Sequence, residues 1–391
     1  DKIVNLKEKT VMVVDNGLFV ETAKTLSKSF KKVYYYMPWK NAFPKSNQYI
    51  VGVGIEGIER VWNMWDYFNQ VDLFVFLDVY DGDLQKFLVS LGKNVWGGRK
   101  GEEMELYRDK MKEYMKRIGL YTTKFKVVKG MDALREYLKE NKNVFVKINQ
   151  LRGNFETFKS ESYSLSEPKL DEIEYVLGAM KTTQEFVVED SYDDACEVGV
   201  DMFSIDGQCP SETLVGIEVK DLGYVGRFMK YSDISSKITD FNTKISPALK
   251  AYNYRGFMST EIRISQDRPP YMIDFCARQA SPPGELYQLM YENLSDIIWY
   301  GAQGYVIDPI VDNEYGVEAL IHSSWADKNW QAVTFPEELR DNIKLRNACK
   351  IDAKYYCVPQ AIGLPEIGAV VAEGKTLDDA INKLKEIAEQ R

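Results

Sequence analysis

Five short apolar runs, at residues 11–14, 32–37, 49–53, 73–77 and 94–96, punctuate the front of the chain. They are apolar along nearly their whole length rather than at alternate positions, so each strand they form must be covered on both faces. Amphipathic stretches lie between them, and a helix is expected from Asp15-Asn16-Gly17 to about Lys31. Buried strands alternating with helices predict a parallel sheet, a Rossmann-like α/β unit over residues 1–100.

Behind residue 100 the periodicity changes. The charged amphipathic stretch 102–119 reads as one helix closed by Gly119. A strand over 124–128, a helix over 131–141 and a strand over 143–148 follow. Residues 149–170 contain Gly153, Ser160, Ser162, Ser164 and Pro168 and read as a mobile loop. Strands are expected at 185–189, 197–205, 212–219, 257–264 and 271–276, with hairpin spacing that implies an antiparallel sheet. An α+β unit from about Gly316 ends in a helix over 377–390. A chain of 391 residues needs several packed units rather than one core.

A formal charge of −9 disfavours anionic membranes and nucleic acid as partners, without ruling nucleic acid out. The five cysteines, Cys196, Cys209, Cys276, Cys349 and Cys357, show no CxxC pairing and fit reduced thiols. A single histidine, His322, argues against His-rich zinc sites and most Ser-His or Cys-His catalysis. No run approaches the ~18 apolar residues of a membrane span, and DKIVNLKEKT has no apolar signal region. The expectation is a soluble, cytoplasmic protein, with a homodimer among its allowed assemblies.

Chemistry concentrates in the paired strands 257–264 and 271–276. Glu261 and Asp274 stand thirteen residues apart across a short turn, and a hairpin can aim both at one divalent cation. Arg278 follows and could clamp a phosphate, although exposed residues on alternating strands would read the same way. Lys147 closes the apolar run VFVKIN, and a buried lysine is costly unless it meets an anion. FVVED at 186–190 ends a strand, and Glu197 opens the next.

In this order of residues the chain resembles the ATP-grasp superfamily and, within it, the glycinamide ribonucleotide synthetases (phosphoribosylamine–glycine ligases). The resemblance runs along almost the whole chain. It implies a Rossmann-like pre-ATP-grasp domain at 1–100, an ATP-grasp small lobe at 101–187, a large lobe with the Mg-ATP site at 188–312, and a small C-terminal α+β domain at 313–391. It implies ATP binding by Arg108, Lys147, the loop around Gly153, the hinge residues Glu189 and Asp190, and Glu197 at the ribose. Glu261 and Asp274 match the magnesium carboxylates, with manganese an allowed substitute, and Arg278 the arginine that supports the phosphorylated intermediate. Where the family has Asn two residues after the second carboxylate, this chain has Cys276, a soft ligand poorly suited to magnesium.

The front departs further. Family members receive a substrate phosphate on a glycine-rich turn after the first strand, whereas Asp15, Asn16 and Gly17 stand here, and an aspartate repels phosphate. Lys220 and Gly223, in KDLGYVG, resemble the stretch that approaches the second substrate, or form a plain turn. Gly52, Gly54 and Gly57 spell GxGxxG but lie away from the first turn, and Asp78 and Asp81 sit at a strand end where an acceptor could bind, although a solvated turn accounts for them first. The resemblance implies an ATP-dependent carboxylate–amine ligase working through an acyl phosphate on small-molecule substrates, with an acceptor other than phosphoribosylamine. The alternatives are a non-catalytic nucleotide-binding protein, an authentic phosphoribosylamine–glycine ligase, and a carboxylate kinase or carboxylase on the same fold.

Overall fold

The computed structural model describes residues 4–38, 48–150, 157–192, 196–324, 329–358 and 366–389. Its contacts divide the chain into two compact units, each assembled from separated segments. The first comprises Asp1–Gly101, Val198–Ser259 and Cys276–Arg391, the second Glu102–Glu197 and Thr260–Phe275.

In the first unit, five parallel strands lie in the order Ile58–Val61, Lys32–Tyr36, Thr10–Val14, Leu73–Phe76 and Asn94–Trp96. Val11, Val13, Val33, Tyr35, Leu73 and Val75 point into one apolar cluster, while Met12, Val14, Tyr34, Phe74 and Phe76 point into another. The sheet is therefore buried on both faces, as the unbroken apolar runs require. The edge strand is not where the pattern put it. Residues 49–53 form turns, and the strand lies at Ile58–Val61. Gly52, Gly54 and Gly57 all adopt positive φ, and such glycines bend a chain that an extended strand would need straight. This also removes the GxGxxG reading, since no helix starts there. The first helix spans only Val20–Leu26, short of Lys31.

An antiparallel sheet joins it in the unit, in the order Arg255–Ile264, Cys196–Ile205, Glu212–Val219, Gly223–Lys230, Tyr315–His322, Glu366–Gly374 and Ile343–Leu345. Tyr315–His322, Glu366–Gly374 and Ile343–Leu345 thus extend the sheet of the preceding hairpins, while Gln331–Val333, Lys354–Cys357 and Ala348–Ile351 form a three-stranded sheet of their own. Pairing Gly223–Lys230 with Tyr315–His322 satisfies backbone groups that an edge strand would leave open.

The second unit is built on a four-stranded antiparallel sheet, ordered Phe125–Lys129, Glu185–Asp190, Val144–Ile148 and Thr157–Ser160. Leu134, Leu138, Leu170 and Ile173, from helices Met131–Glu140 and Tyr163–Leu177, pack with Val146, Ile148, Phe186 and Val188. Arg255–Ile264 enters this unit at Thr260, where it is flanked by Tyr271–Cys276.

Two expectations fail here. The stretch 149–170 contains the strand Thr157–Ser160 and the start of a 15-residue helix, with residues 151–156 outside the described residues. Ser162 is that helix's N-cap, accepting from the Leu165 N–H, so the serines that suggested a loop initiate a helix. The single helix expected over 102–119 is broken at Tyr107 into Glu103–Leu106 and Arg108–Arg117. Asn149 causes the break to hold: its Oδ1 accepts the Arg108 N–H at 2.8 Å and its Nδ2 donates to Asp109 at 2.8 Å.

Candidate active site

Strand Val144–Ile148 carries Lys147 into the second unit with 2% of its surface exposed. Its ammonium lies 2.7 Å from Glu189 Oε1 and 3.0 Å from Asp274 Oδ1, and it donates to the Ile273 carbonyl. The other Glu189 oxygen meets the buried Lys112 ammonium and accepts from the Thr123 hydroxyl at 3.0 Å. Two lysines and two carboxylates therefore form a chain of alternating sign, running from Lys112 through Glu189 and Lys147 to Asp274. Burying such charges is costly, and the arrangement persists because each neutralises its neighbour.

The electrostatics follow from that alternation. Burial would raise the Glu189 carboxyl, but the Lys147 and Lys112 ammonium groups overcome it and hold it at about 2. Burial would lower Lys147, yet Asp274 and Glu189 push its ammonium above the usual lysine range. Lys112 goes the other way, because burial outweighs the single carboxylate it touches.

Arg108 lies one helical turn before Lys112 and so on the same face. Its Nη1 donates to the Glu105 carbonyl at 3.0 Å, while its buried Nε finds no hydrogen-bond partner. A narrow cleft is lined by Arg108, Lys112, Lys147, Glu105 and Asp274 on a bed of methionines, Met104, Met111, Met115 and Met272. Three cations, Arg108, Lys112 and Lys147, thus face one narrow space beside two carboxylates, Glu105 and Asp274.

Of the residues expected to bind ATP, Lys147, Arg108 and Glu189 come together around this cleft. Glu189 contributes its side chain to the ion cluster, while its residue pairs with Phe125 and Phe145 in the sheet. Asp190 ends the strand, its N–H bonded to Lys124 O at 3.1 Å. Glu197 is held by Arg263 Nε at 3.1 Å, and Arg263 sits 4.9 Å over the Phe145 ring. Gly153 lies outside the described residues.

Glu261 and Asp274 lie on neighbouring strands, both partly exposed. Two hard carboxylate donors suit magnesium, whose remaining positions go to water and phosphate oxygens. Asp274 fits best, since its carboxylate is one-third exposed while Lys147 holds one oxygen. The Cys276 thiol does not fit such an ion. Among the described residues no three acid, histidine or cysteine side chains gather as a metal site, so a magnesium ion here would have only this pair to hold it. Arg278 belongs to the first unit and is partly exposed.

The residues expected near an acceptor also lie in the first unit. Asp15 is 2% exposed, and its Oδ2 accepts from the N–H groups of Gly17 (3.2 Å) and Phe19 (2.8 Å) and from the Tyr35 hydroxyl (2.7 Å). Gly17 has φ 95, and a Cβ there would collide with Asn347. Asn16 Nδ2 approaches Asp78 Oδ2 at 3.4 Å. Lys220 is exposed on the turn before Gly223–Lys230. Gly223 is buried where a Cβ would strike the Glu318 carbonyl, so this glycine answers a need of strand pairing.

Lys112 and Asn149 are the residues that sequence reasoning valued least. The i+4 spacing of Arg108 and Lys112 places both on one helix face, and that is the signal in the sequence that points to Lys112.

No protein-family model matches the sequence, and no curated protein matches it. Solved structures do. A phosphoribosylamine–glycine ligase from Thermotoga maritima superposes with a TM-score of 0.72 at 19% identity, over 97% of this chain and 96% of that one. A biotin carboxylase from Campylobacter jejuni, in a complex with β-γ-ATP, gives 0.66 at 15% identity over 98% and 91%. An L-amino acid ligase from Bacillus licheniformis gives 0.62 at 14% identity, over 98% of both chains. Identities this low speak for architecture, and on that ground the chain has the ATP-grasp fold.

Proposed function

We propose that this chain is an ATP-dependent carboxylate–amine ligase. The observation that carries the reading is the cleft in which Arg108, Lys112 and Lys147 converge beside Asp274. Three cations around one space are an arrangement for polyphosphate, and phosphoryl transfer depends mainly on such positioning and charge neutralisation. Two similar structures, the phosphoribosylamine–glycine ligase and the L-amino acid ligase, are ligases by name, which supports the same class.

In this reading Lys147 and Arg108 hold the nucleotide phosphates, and Glu197 accepts hydrogen bonds from the ribose. Glu189 and Asp190 flank the adenine. Glu261 and Asp274 would hold magnesium, which when bound neutralises charge between the β- and γ-phosphates. Arg278 supports the charge that develops on the transferred phosphoryl. A substrate carboxylate oxygen forms a bond to the γ-phosphorus as the β–γ bridge breaks and ADP leaves. An amine nitrogen then forms the C–N bond, phosphate departs with the C–O electron pair, and the released N–H proton passes to solvent. We assign the acceptor to the turn Asp15-Asn16-Gly17 and the segment of Lys220 and Gly223. The compartment in this reading is the cytoplasm.

ADP release with pooled amino acids as carboxylate donors tests the reading, with hydroxylamine trapping of the acyl phosphate as the second readout. Magnesium-dependent ADP release and a hydroxamate are expected. No turnover with any donor, together with ATP binding indifferent to magnesium, would favour a non-catalytic nucleotide-binding protein. Dependence on bicarbonate would mean a carboxylase.

A further inference from the structure

In the parallel sheet, Thr10–Val14 is flanked by Lys32–Tyr36 on one side and Leu73–Phe76 on the other. Connections leave the carboxyl ends of the central strands in opposite directions there, and open α/β sheets take ligands in the crevice this creates. The crevice is acidic. Thr10–Val14 delivers Asp15, and Leu73–Phe76 leads through Leu77 to Asp78, with the two aspartates 2% and 6% exposed. Asn16, Tyr80 and Asp81 form a more open rim. Tyr80 is 46% exposed at φ 85, a backbone region that a bulky side chain rarely adopts. Burial and the Asp78 charge push Asp81 up to about 6, and burial also raises Asp15.

A second observation points to a ligand that donates. Asp15 uses only Oδ2 for Gly17, Phe19 and Tyr35, and its Oδ1 is buried without a hydrogen-bond partner. Gln279, 2% exposed, reaches the same end of the sheet through its N–H to the Leu77 carbonyl at 3.3 Å. Its amide nitrogen donates to Thr22 Oγ1 at 3.0 Å, which leaves its buried Oε1 unmatched. Both unfilled atoms are acceptors, and buried acceptors are normally filled. A metal ion is a poor candidate, since among the described residues no three acid, histidine or cysteine side chains gather to hold one.

We propose that this crevice binds the acceptor through a positively charged nitrogen, and that the acceptor carries no phosphate. The proposal rests on the ligase reading and deepens it by naming the acceptor's chemical class. Asp15, through its open Oδ1, and Asp78 receive the N–H groups of the cation, Asp81 adds charge at the rim, and the Tyr80 ring offers a face to it. The same carboxylates repel a phosphorylated amine.

The test compares 1,4-diaminobutane with 4-aminobutyl phosphate, matched in length and opposite in charge. ADP release should favour the diamine by about tenfold or more in kcat/KM. Titration calorimetry without ATP should show diamine binding that weakens about tenfold in Asp81→Asn and in Asp78→Asn, each charge-assisted bond being worth that much or more. ATP binding should stay unchanged in both. Asp81→Asn, on the rim, keeps the test sound if the buried Asp78→Asn does not fold. Preference for the phosphorylated amine, absence of diamine binding, or binding indifferent to Asp81→Asn would overturn the proposal. If no amine releases ADP while the diamine still binds and weakens in the variants, the ligase reading fails and the crevice assignment stands.

Discussion

Two groups of buried charge, one in each unit, are built on opposite rules. Around Lys147 the signs alternate, so every buried ion has a counter-ion within 3.0 Å. Around Asp15 the signs repeat, and burial, with the Asp78 charge added to it, raises the carboxyls of both Asp15 and Asp81. Alternation offsets the cost of burying each charge. Repetition costs stability unless something arrives to relieve it, which is why the first group reads as a prepared surface for polyphosphate and the second as a place for a cation.

The sharpest way to break this contrast is to remove the shared carboxylate of the alternating group. Glu189→Ala leaves two ammonium groups buried without their counter-ion, and urea unfolding should show a loss of about 3–5 kcal/mol. A loss below about 1 kcal/mol would mean that the lysines do not depend on it. Lys147→Met addresses function: kcat for ADP release should fall roughly 100–1000-fold, the range for removing one group that stabilises transition-state charge, with circular dichroism unchanged. Unaltered kcat would remove Lys147 from the phosphate site.

Acid titration separates the groups by sign. Glu189 is held below its unfolded value of 4.5, so its stabilisation is fully present above that pH and disappears as pH falls toward 2. The urea midpoint should drop steeply over that window in the wild type and hardly at all in Glu189→Gln. Asp81 is raised from 3.8 to about 6, so its protonated form favours folding and its contribution declines as pH climbs through that window. Asp81→Asn should therefore stabilise the chain at pH 7, by less than about 1 kcal/mol after solvent screening, and have no effect near pH 3. Equal effects at both pH values would show that Asp81 feels no neighbouring carboxylate.

Much of the fold could be read in advance where one pattern dominated. Strands Glu212–Val219 and Tyr271–Cys276 appear at the expected residues, because their pattern and bounding turns agree. Reading failed where local chemistry had two uses. Ser162 could open a loop or cap a helix, and the outcome depended on the apolar contacts of Leu170 and Ile173. The apolar residues Ile50 and Val51 are buried as any strand would be, but they run directly into Gly52, Gly54 and Gly57, which turn the chain. The break at Tyr107 depends on Asn149, forty-one residues away from its partner Arg108, and no local window contains both. The candidate site shows the same division. Lys147 and Asp274 stood out as charged residues on apolar strands, whereas Lys112 resembled any other lysine on a charged helix until burial singled it out.

The segmented make-up of the second unit also sets an order of events during synthesis. Lys112, Lys147 and Glu189 emerge together within Glu102–Glu197, but Asp274 comes only with Thr260–Phe275. A nascent chain halted after residue 197 holds two lysines against one carboxylate. At a translation rate of about 5–20 residues per second, several seconds pass before the second acid arrives. The cluster should mature in two stages, with Glu189 first steadying both lysines and Asp274 then completing Lys147. Protease sensitivity of chains stalled at residues 197 and 275 would reveal this as a gain in resistance with the longer chain, and equal resistance would show that the unit is already settled before Asp274 joins it.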